Sequence, residues 1–287
     1  MKQENAITPF DPTHILGPHP FPPPQKHFFG WNSDTWSGYV KMSPDPGTYF
    51  INQAAGEFIV PSVPSNPPNN RGAVSIWVGI DGGDPFFVDI PNNRTDQLIQ
   101  IGVVAGDFFT GSPAYNGFWE IYMSGQPHQG APIPPSTYPV NPGDKMFAQI
   151  FEDTNQAVWV MELTNVTQGW TFVKDNISYT GVYAQRTAEF IVEAMQTSTD
   201  IGVRKVIPLA NYGVVEFNNC YVNRENADFF DLESGYACGK DGLPISIPSL
   251  PNKLLNGFYV NYNSVPFNEI PVDSEHEKTL CGEIPFL

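Results

Sequence analysis

The chain has 287 residues, a length that fits one large β domain or two smaller ones. Its 30 acidic and 14 basic residues give a formal charge of -16, which argues against nucleic acid and anionic membrane surfaces as partners. No run of about 18 apolar residues occurs, so the sequence predicts no membrane span.

Turn residues divide the chain into short elements. There are 29 prolines and 25 glycines, and the apolar or alternating runs are interrupted repeatedly by Asn, Asp, Pro and Gly. This pattern is typical of an all-β sandwich or barrel. No helix of three turns and no repeat of fixed period is visible, which disfavours a propeller or a solenoid.

In chain order, a proline-rich arm over residues 1–27 precedes the strand-like segments, and we expect this arm to be extended. The strand-like segments are WSGYVKM, GTYFINQAAGEFIVP, GAVSIWVGID, DQLIQIGVV, GFWEIYM, KMFAQIFE, QAVWVMELTN, GWTFVKD, TAEFIVEAM and GVVEFNNCYV. After about residue 225 the pattern loosens, and only NGFYVNYN is strand-like. We therefore predict one β domain over residues 28–265 and an irregular tail over residues 266–287.

The cysteines and the first residues bear on the compartment. Cys220, Cys238 and Cys281 are an odd number, so at most one intramolecular disulfide forms and one thiol is left over. The first ten residues, MKQENAITPF, contain no apolar h-region, so we expect no signal peptide in this chain.

Strand alternation collects polar and aromatic residues on one face of four segments. In TAEFIVEAM, Glu189 and Glu193 share a face, and the opposite face is apolar. Three other segments show the same division, with an aliphatic face suited to a core between sheets. The polar and aromatic residues are Trp77, Asp81, Gln100, Glu120, Tyr122, Glu189 and Glu193. Such a face offers the apolar walls and oriented hydrogen-bonding groups that an extended polar ligand requires.

These segments carry motifs that resemble a known family. In order, the motifs are WVGIDG (77–82), LIQIG (98–102), FWEIY (118–122) and AEFIVE (188–193). Together they resemble the glutamic peptidases of the eqolisin type, peptidase family G1, over roughly residues 28–265. The resemblance implies a concanavalin-like or jelly-roll sandwich of two antiparallel sheets, with the substrate across a concave face. It also implies a secreted acid endopeptidase that acts on proteins or peptides and uses no metal or other cofactor. We expect the protein to be a monomer.

Carried over by position, the resemblance implies that Glu189 and Gln100 are catalytic. The substrate-binding positions that it implies are Trp77, Asp81, Glu120, Tyr122 and Glu193. The chemistry agrees, because a carboxylate can serve as the base for water and then as the acid for the leaving amine. The amide of Gln100 can donate to an oxyanion while its carbonyl oxygen holds the water. Glu193 is expected to raise the proton affinity of Glu189 if the two lie close together.

Other hydrolase chemistries lack their residues, because the chain contains no H-E-x-x-H, G-x-S-x-G or D-[ST]-G motif. Two alternatives stay open. A carbohydrate-active or carbohydrate-binding sandwich could use the same face, although Gln100 is an amide where sugar hydrolysis needs a second carboxylate. A non-catalytic homologue is the other, because a fold does not determine a function. For the arm, we expect residues 1–27 to lie near the cleft and to restrict access until they are displaced.

Overall fold

The computed structural model describes residues 29–45, 48–64, 72–83, 97–106, 113–123, 125–179, 185–198, 204–239, 241–263 and 278–279. Within these ranges the regular structure is nineteen β-strands and one 3-10 helix, Asp231–Glu233. The part of the chain so described contains no helix long and apolar enough to cross a membrane. The predicted arm lies outside these ranges.

The strands form two layers, which we call the front layer and the back layer. In spatial order the front layer comprises β7 (Gln129–Pro132), β6 (Ala114–Tyr122), β5 (Leu98–Gly106), β4 (Ala73–Ile80), β11 (Thr187–Glu193), β2 (Trp36–Met42), β16 (Ser234–Cys238) and β1 (Trp31–Ser33). The back layer comprises β10 (Trp170–Ile177), β9 (Val158–Asn165), β8 (Lys145–Asp153), β3 (Gln53–Ile59), β14 (Val214–Val222), β18 (Phe258–Tyr262) and β17 (Pro244–Pro248). Four short strands complete the set: β12 (Gln196–Ser198), β13 (Arg204–Val206), β15 (Glu225–Asn226) and β19 (Lys278–Thr279).

Nearly all neighbouring strands are antiparallel. The exceptions are the parallel pairings of β1 with β16 and with β19. Strand β17 pairs with both β16 and β18 and so joins the two layers along one side. The predicted all-β sandwich of two antiparallel sheets is confirmed.

The main core lies between the layers. On β4 the side chains Val74, Ile76, Val78 and Ile80 are fully buried there, and from the back layer Met146 and other apolar residues pack into the same cluster. Burying a large aliphatic side chain stabilises a fold by about 1.5–3 kcal/mol. Because alternate residues of β4 are committed to this core, the residues between them face the other side of the front layer.

All ten predicted segments upstream of residue 225 contain a strand of the structure. The expectation that only NGFYVNYN is strand-like beyond that point was wrong, because β16 and β17 also lie there. Their sequences, SGYAC and PISIP, contain glycine or proline, which weakens the strand signal. One disulfide and one leftover thiol are confirmed, since Cys238 is disulfide-bonded and Cys220 is free and buried.

Candidate active site

One cross-strand row of the front layer contains both predicted catalytic residues. The register pairs Val40 with Glu189, Glu189 with Gly79, Gly79 with Gln100, and Gln100 with Glu120. These pairings contain no β-bulge, and directly opposed residues of a sheet point to the same face. Because strands lie about 4.8 Å apart, the backbones of Glu189 and Gln100 are separated by about 10 Å, with β4 between them.

The Glu189 carboxylate is fully buried and lies against two glycines. A Cβ atom placed on Gly79 would be 3.2 Å from Glu189 Oε2, and one placed on Gly83 would be 3.0 Å from Oε1. The same Cβ on Gly79 would be 2.6 Å from Cζ3 of Trp77. The missing side chain at position 79 therefore allows the indole edge of Trp77 to lie beside the carboxylate.

Glu120 fixes the orientation of the Gln100 amide. Gln100 Nε2 donates a hydrogen bond to Glu120 Oε2, and Tyr122 Oη donates to the same oxygen at 3.4 Å. The Gln100 side chain is 4 % exposed, and its Oε1 has no hydrogen-bond partner among the described residues. An unsatisfied buried acceptor costs about 1–3 kcal/mol, which suits a group that receives a hydrogen bond from water or substrate. The carboxylate acceptor at Nε2 directs Oε1 away from Glu120.

Glu193 lies on the same face of β11 as Glu189, and Trp77 holds its side chain in place. The indole Nε1 of Trp77 donates to Glu193 Oε2 at 2.9 Å, and Ser75 Oγ lies 3.5 Å from that oxygen. Burial, and secondly the charge of Glu120, raise the pKa of Glu193 to about 7. Glu193 is therefore neutral in acidic solution. Its predicted effect on the proton affinity of Glu189 stays a prediction.

Aromatic rings line this face. Trp36 meets Trp77 edge to face with ring centroids 4.9 Å apart, and Tyr122 stacks on His128 at 4.3 Å. Trp36 and Tyr122 pack against a second apolar cluster, which consists of Trp31, Val40, Trp77, Leu98, Val104, Phe118 and Ile191. The sequence reading missed Trp36 and His128. Alternation within WSGYVKM offered a signal for Trp36, which pairs with Glu193 across the strands.

Asp81 departs from the predicted face. It follows the last residue of β4 and has a positive φ of 67°. Its carboxylate accepts hydrogen bonds from Tyr179 Oη at 2.8 Å and from the backbone N–H groups of Gln185 at 2.8 Å and Arg186 at 2.7 Å. Tyr179 belongs to the main core, so the expectation that Asp81 shares the Trp77 face was wrong. The alternation of side chains between the two faces ends at Ile80, the last residue of β4.

These hydrogen bonds give Asp81 the contacts of a positioning residue. Burial raises its pKa, and the hydrogen bonds from Arg186, Gln185 and Tyr179 oppose that rise. The carboxylate anchors the residues immediately before β11, the strand that carries Glu189. A direct contact between Asp81 and substrate stays a prediction.

Of the seven predicted site residues, the structure groups the six other than Asp81 on one face. Among the described residues, no cluster of three or more potential metal ligands occurs.

Comparisons with known proteins agree with this fold. The sequence model of the Peptidase A4 family matches residues 34–237. Fold and family match together define a β-sandwich peptidase, a hydrolase. The chain belongs to the Peptidase A4 family, the eqolisin-type peptidases of family G1.

Two solved structures show the likeness in fold. Scytalido-glutamic peptidase with a transition state analog inhibitor has a TM-score of 0.59 and 20 % identity, covering 80 % of this chain and 98 % of that one. SCP-B, a member of the Eqolisin family of Peptidases in a complex with the tripeptide Ala-Ile-His, has a TM-score of 0.58 with the same identity and coverage. None of the curated proteins matches the chain in sequence.

Proposed function

We propose that this protein is an acid endopeptidase that hydrolyses peptide bonds with Glu189 and Gln100 as its catalytic pair. The observation that carries the proposal is their placement on one face of the front layer. Glu189 lies on β11 and Gln100 on β5, and both strands pair with β4 at Gly79. Membership of a peptidase family supports the reaction class. One structural relative is a glutamic peptidase with a transition state analog inhibitor, which supports the choice of a glutamate.

In the first step, ionised Glu189 removes a proton from a water molecule as the water oxygen bonds to the peptide carbonyl carbon. Negative charge then develops on the carbonyl oxygen. One N–H of Gln100 donates to Glu120, which leaves the second N–H for this oxyanion. The buried Oε1 of Gln100 accepts a hydrogen bond from the attacking water.

In the second step, protonated Glu189 returns its proton to the amide nitrogen. The C–N bond breaks, one product leaves as an amine and the other as a carboxylic acid, and Glu189 is ionised again. Glu189 carries out both proton transfers, and Gln100 stabilises the negative charge that develops on the carbonyl oxygen. The scheme therefore requires no metal or other cofactor.

We further propose that an extended peptide crosses the row between the aromatic walls. Trp77, Tyr122, Glu120 and Glu193 lie beside the pair and are the candidate substrate contacts. Neutral Glu193 offers a hydrogen-bond donor in acid without adding repulsion. The charge of -16 favours protein or peptide substrates over nucleic acid. We expect the protein to be secreted and to act as a monomer.

The test is cleavage of an unfolded protein between pH 2 and pH 7 by the wild type, Glu189→Gln and Gln100→Ala. Wild type should cut in acid, and Glu189→Gln should lose about 10³-fold or more in kcat, with circular dichroism unchanged. Glu225→Gln removes an exposed carboxylate on β15 and serves as the matched control. Full activity of Glu189→Gln would refute the proposed pair, and inactivity of wild type at every pH would refute the proposed reaction.

A further inference from the structure

A histidine at the rim of the site contacts the carboxylate that orients Gln100. His128 Nε2 lies 3.6 Å from Glu120 Oε1, and the other carboxylate oxygen accepts the hydrogen bond from Gln100 Nε2. The His128 side chain is 46 % exposed, whereas Gln100 is 4 % exposed. A continuous chain of contacts thus runs from solvent to the buried amide.

Two features of β6 and β7 hold His128 over Glu120. The imidazole stacks on Tyr122 with an interplanar angle of 17° and centroids 4.3 Å apart. Gly130 pairs with Glu120 across the two strands. A Cβ placed on Gly130 would be 2.9 Å from Glu120 Cγ and 3.0 Å from His128 Nε2. Glycine at this position therefore leaves the space in which the two side chains meet.

We propose that His128 is a positioning residue whose cationic form pairs with the Glu120 carboxylate and thereby fixes the orientation of the Gln100 amide. The inference rests on the catalytic role proposed for Gln100. An ionised carboxylate accepts hydrogen bonds at both oxygens, whereas a protonated one presents an O–H donor. Facing that donor, the amide would turn its oxygen toward Glu120 and withdraw it from the water.

The charges around the pair favour this arrangement in acid. A cation within about 4 Å stabilises the ionised form of a carboxylate. Among the described residues, Tyr122 donates its hydroxyl hydrogen to Glu120, and the charge of Glu193 interacts with Glu120. Since burial keeps Glu193 neutral in acid, Glu193 does not oppose ionised Glu120 under those conditions.

The first test compares kcat and KM from pH 2 to pH 7 for the wild type, His128→Gln and His128→Lys. Gln126→Ala changes an exposed residue of the same loop and is the matched control. His128→Gln should lower kcat about fivefold near pH 4, the factor that separates a charge-assisted from a neutral hydrogen bond, with KM little changed. Its acid limb should move to higher pH, and the cation of His128→Lys should restore the wild-type profile.

The second test does not depend on turnover. The side-chain amide NMR signals of Gln100, assigned by their loss in Gln100→Ala, report the hydrogen bond to Glu120 directly. On acidification these signals should change at a higher pH in His128→Gln than in wild type. Superimposed titrations would overturn the positioning role of His128 even if the protein cleaves nothing. If the NMR signals change at a higher pH in His128→Gln, as expected, but the wild type has no peptidase activity, only the function on which the inference rests is refuted.

Discussion

Ionisation of Glu193 is expected to destabilise the folded protein as the pH rises from about 4.5 to about 7. Burial raises the pKa of Glu193 from 4.5 to about 7 in the folded state. Between these values the folded state holds a proton that the unfolded state has released, so the free energy of unfolding falls with rising pH. The shift corresponds to about 3 kcal/mol, fully present below pH 4.5 and lost above pH 7.

The measurement is urea unfolding at pH 4.5 and pH 7.5 in a Glu189→Gln background, which prevents self-cleavage under the proposed mechanism. Glu193→Gln keeps an acceptor for the Trp77 indole but has no proton to lose, so its stability should depend less on pH by about 3 kcal/mol. Glu225→Gln also removes one negative charge and controls for general repulsion. Glu233, whose pKa burial likewise raises to about 7, is present in all three proteins and cancels.

The comparison has a clear negative outcome. If Glu193→Gln and Glu225→Gln lose equal stability between the two pH values, then Glu193 is not ionising at a raised pKa. The account of this residue as a neutral donor in acid would then fail. A flat profile in all proteins would extend that conclusion to Glu233.

Three further predictions concern other parts of the chain. Gly79→Ala should lower kcat about 10²-fold with the fold intact, because its Cβ would displace the Trp77 ring; near wild-type turnover would contradict the described packing. Asp81→Asn should lower the free energy of unfolding by about 2 kcal/mol in urea titrations, since it weakens the bonds from Tyr179 and two backbone N–H groups. The Cys220 thiol, buried and with a raised pKa, should react with a thiol reagent only on unfolding, and rapid labelling of the folded protein would contradict its burial.

The sequence predicts the front layer well because its central strands are regular. In β4, β5 and β11 the pairings run without a bulge, so strict alternation assigns the faces of Trp77, Gln100 and Glu189 correctly. Strand β14 behaves differently, since its pairing with β3 shifts between Asn218 and Tyr221. Alternation therefore locates a face only as far as the regular strand continues.

The rest of the site depends on contacts that periodicity does not encode. The turn at Asp81 sends its carboxylate to residues about 100 positions away, in the loop before β11. The bond between Gln100 and Glu120 depends on how β5 pairs with β6, and no single segment specifies that register. His128 lies on a loop, where no alternation exists to assign its direction.

The cross-strand row that contains Glu189, Gly79 and Gln100 bears on how far the loops of related proteins can differ. The distance between the two proposed catalytic residues is set by backbone pairing, at two strand spacings, and not by any connecting loop. The connection between β4 and β5 beyond Gly83, and the connection between β5 and β6, can therefore change in length and sequence while the pair keeps its separation. Loop grafts taken from relatives into these connections should leave the proposed chemistry in place.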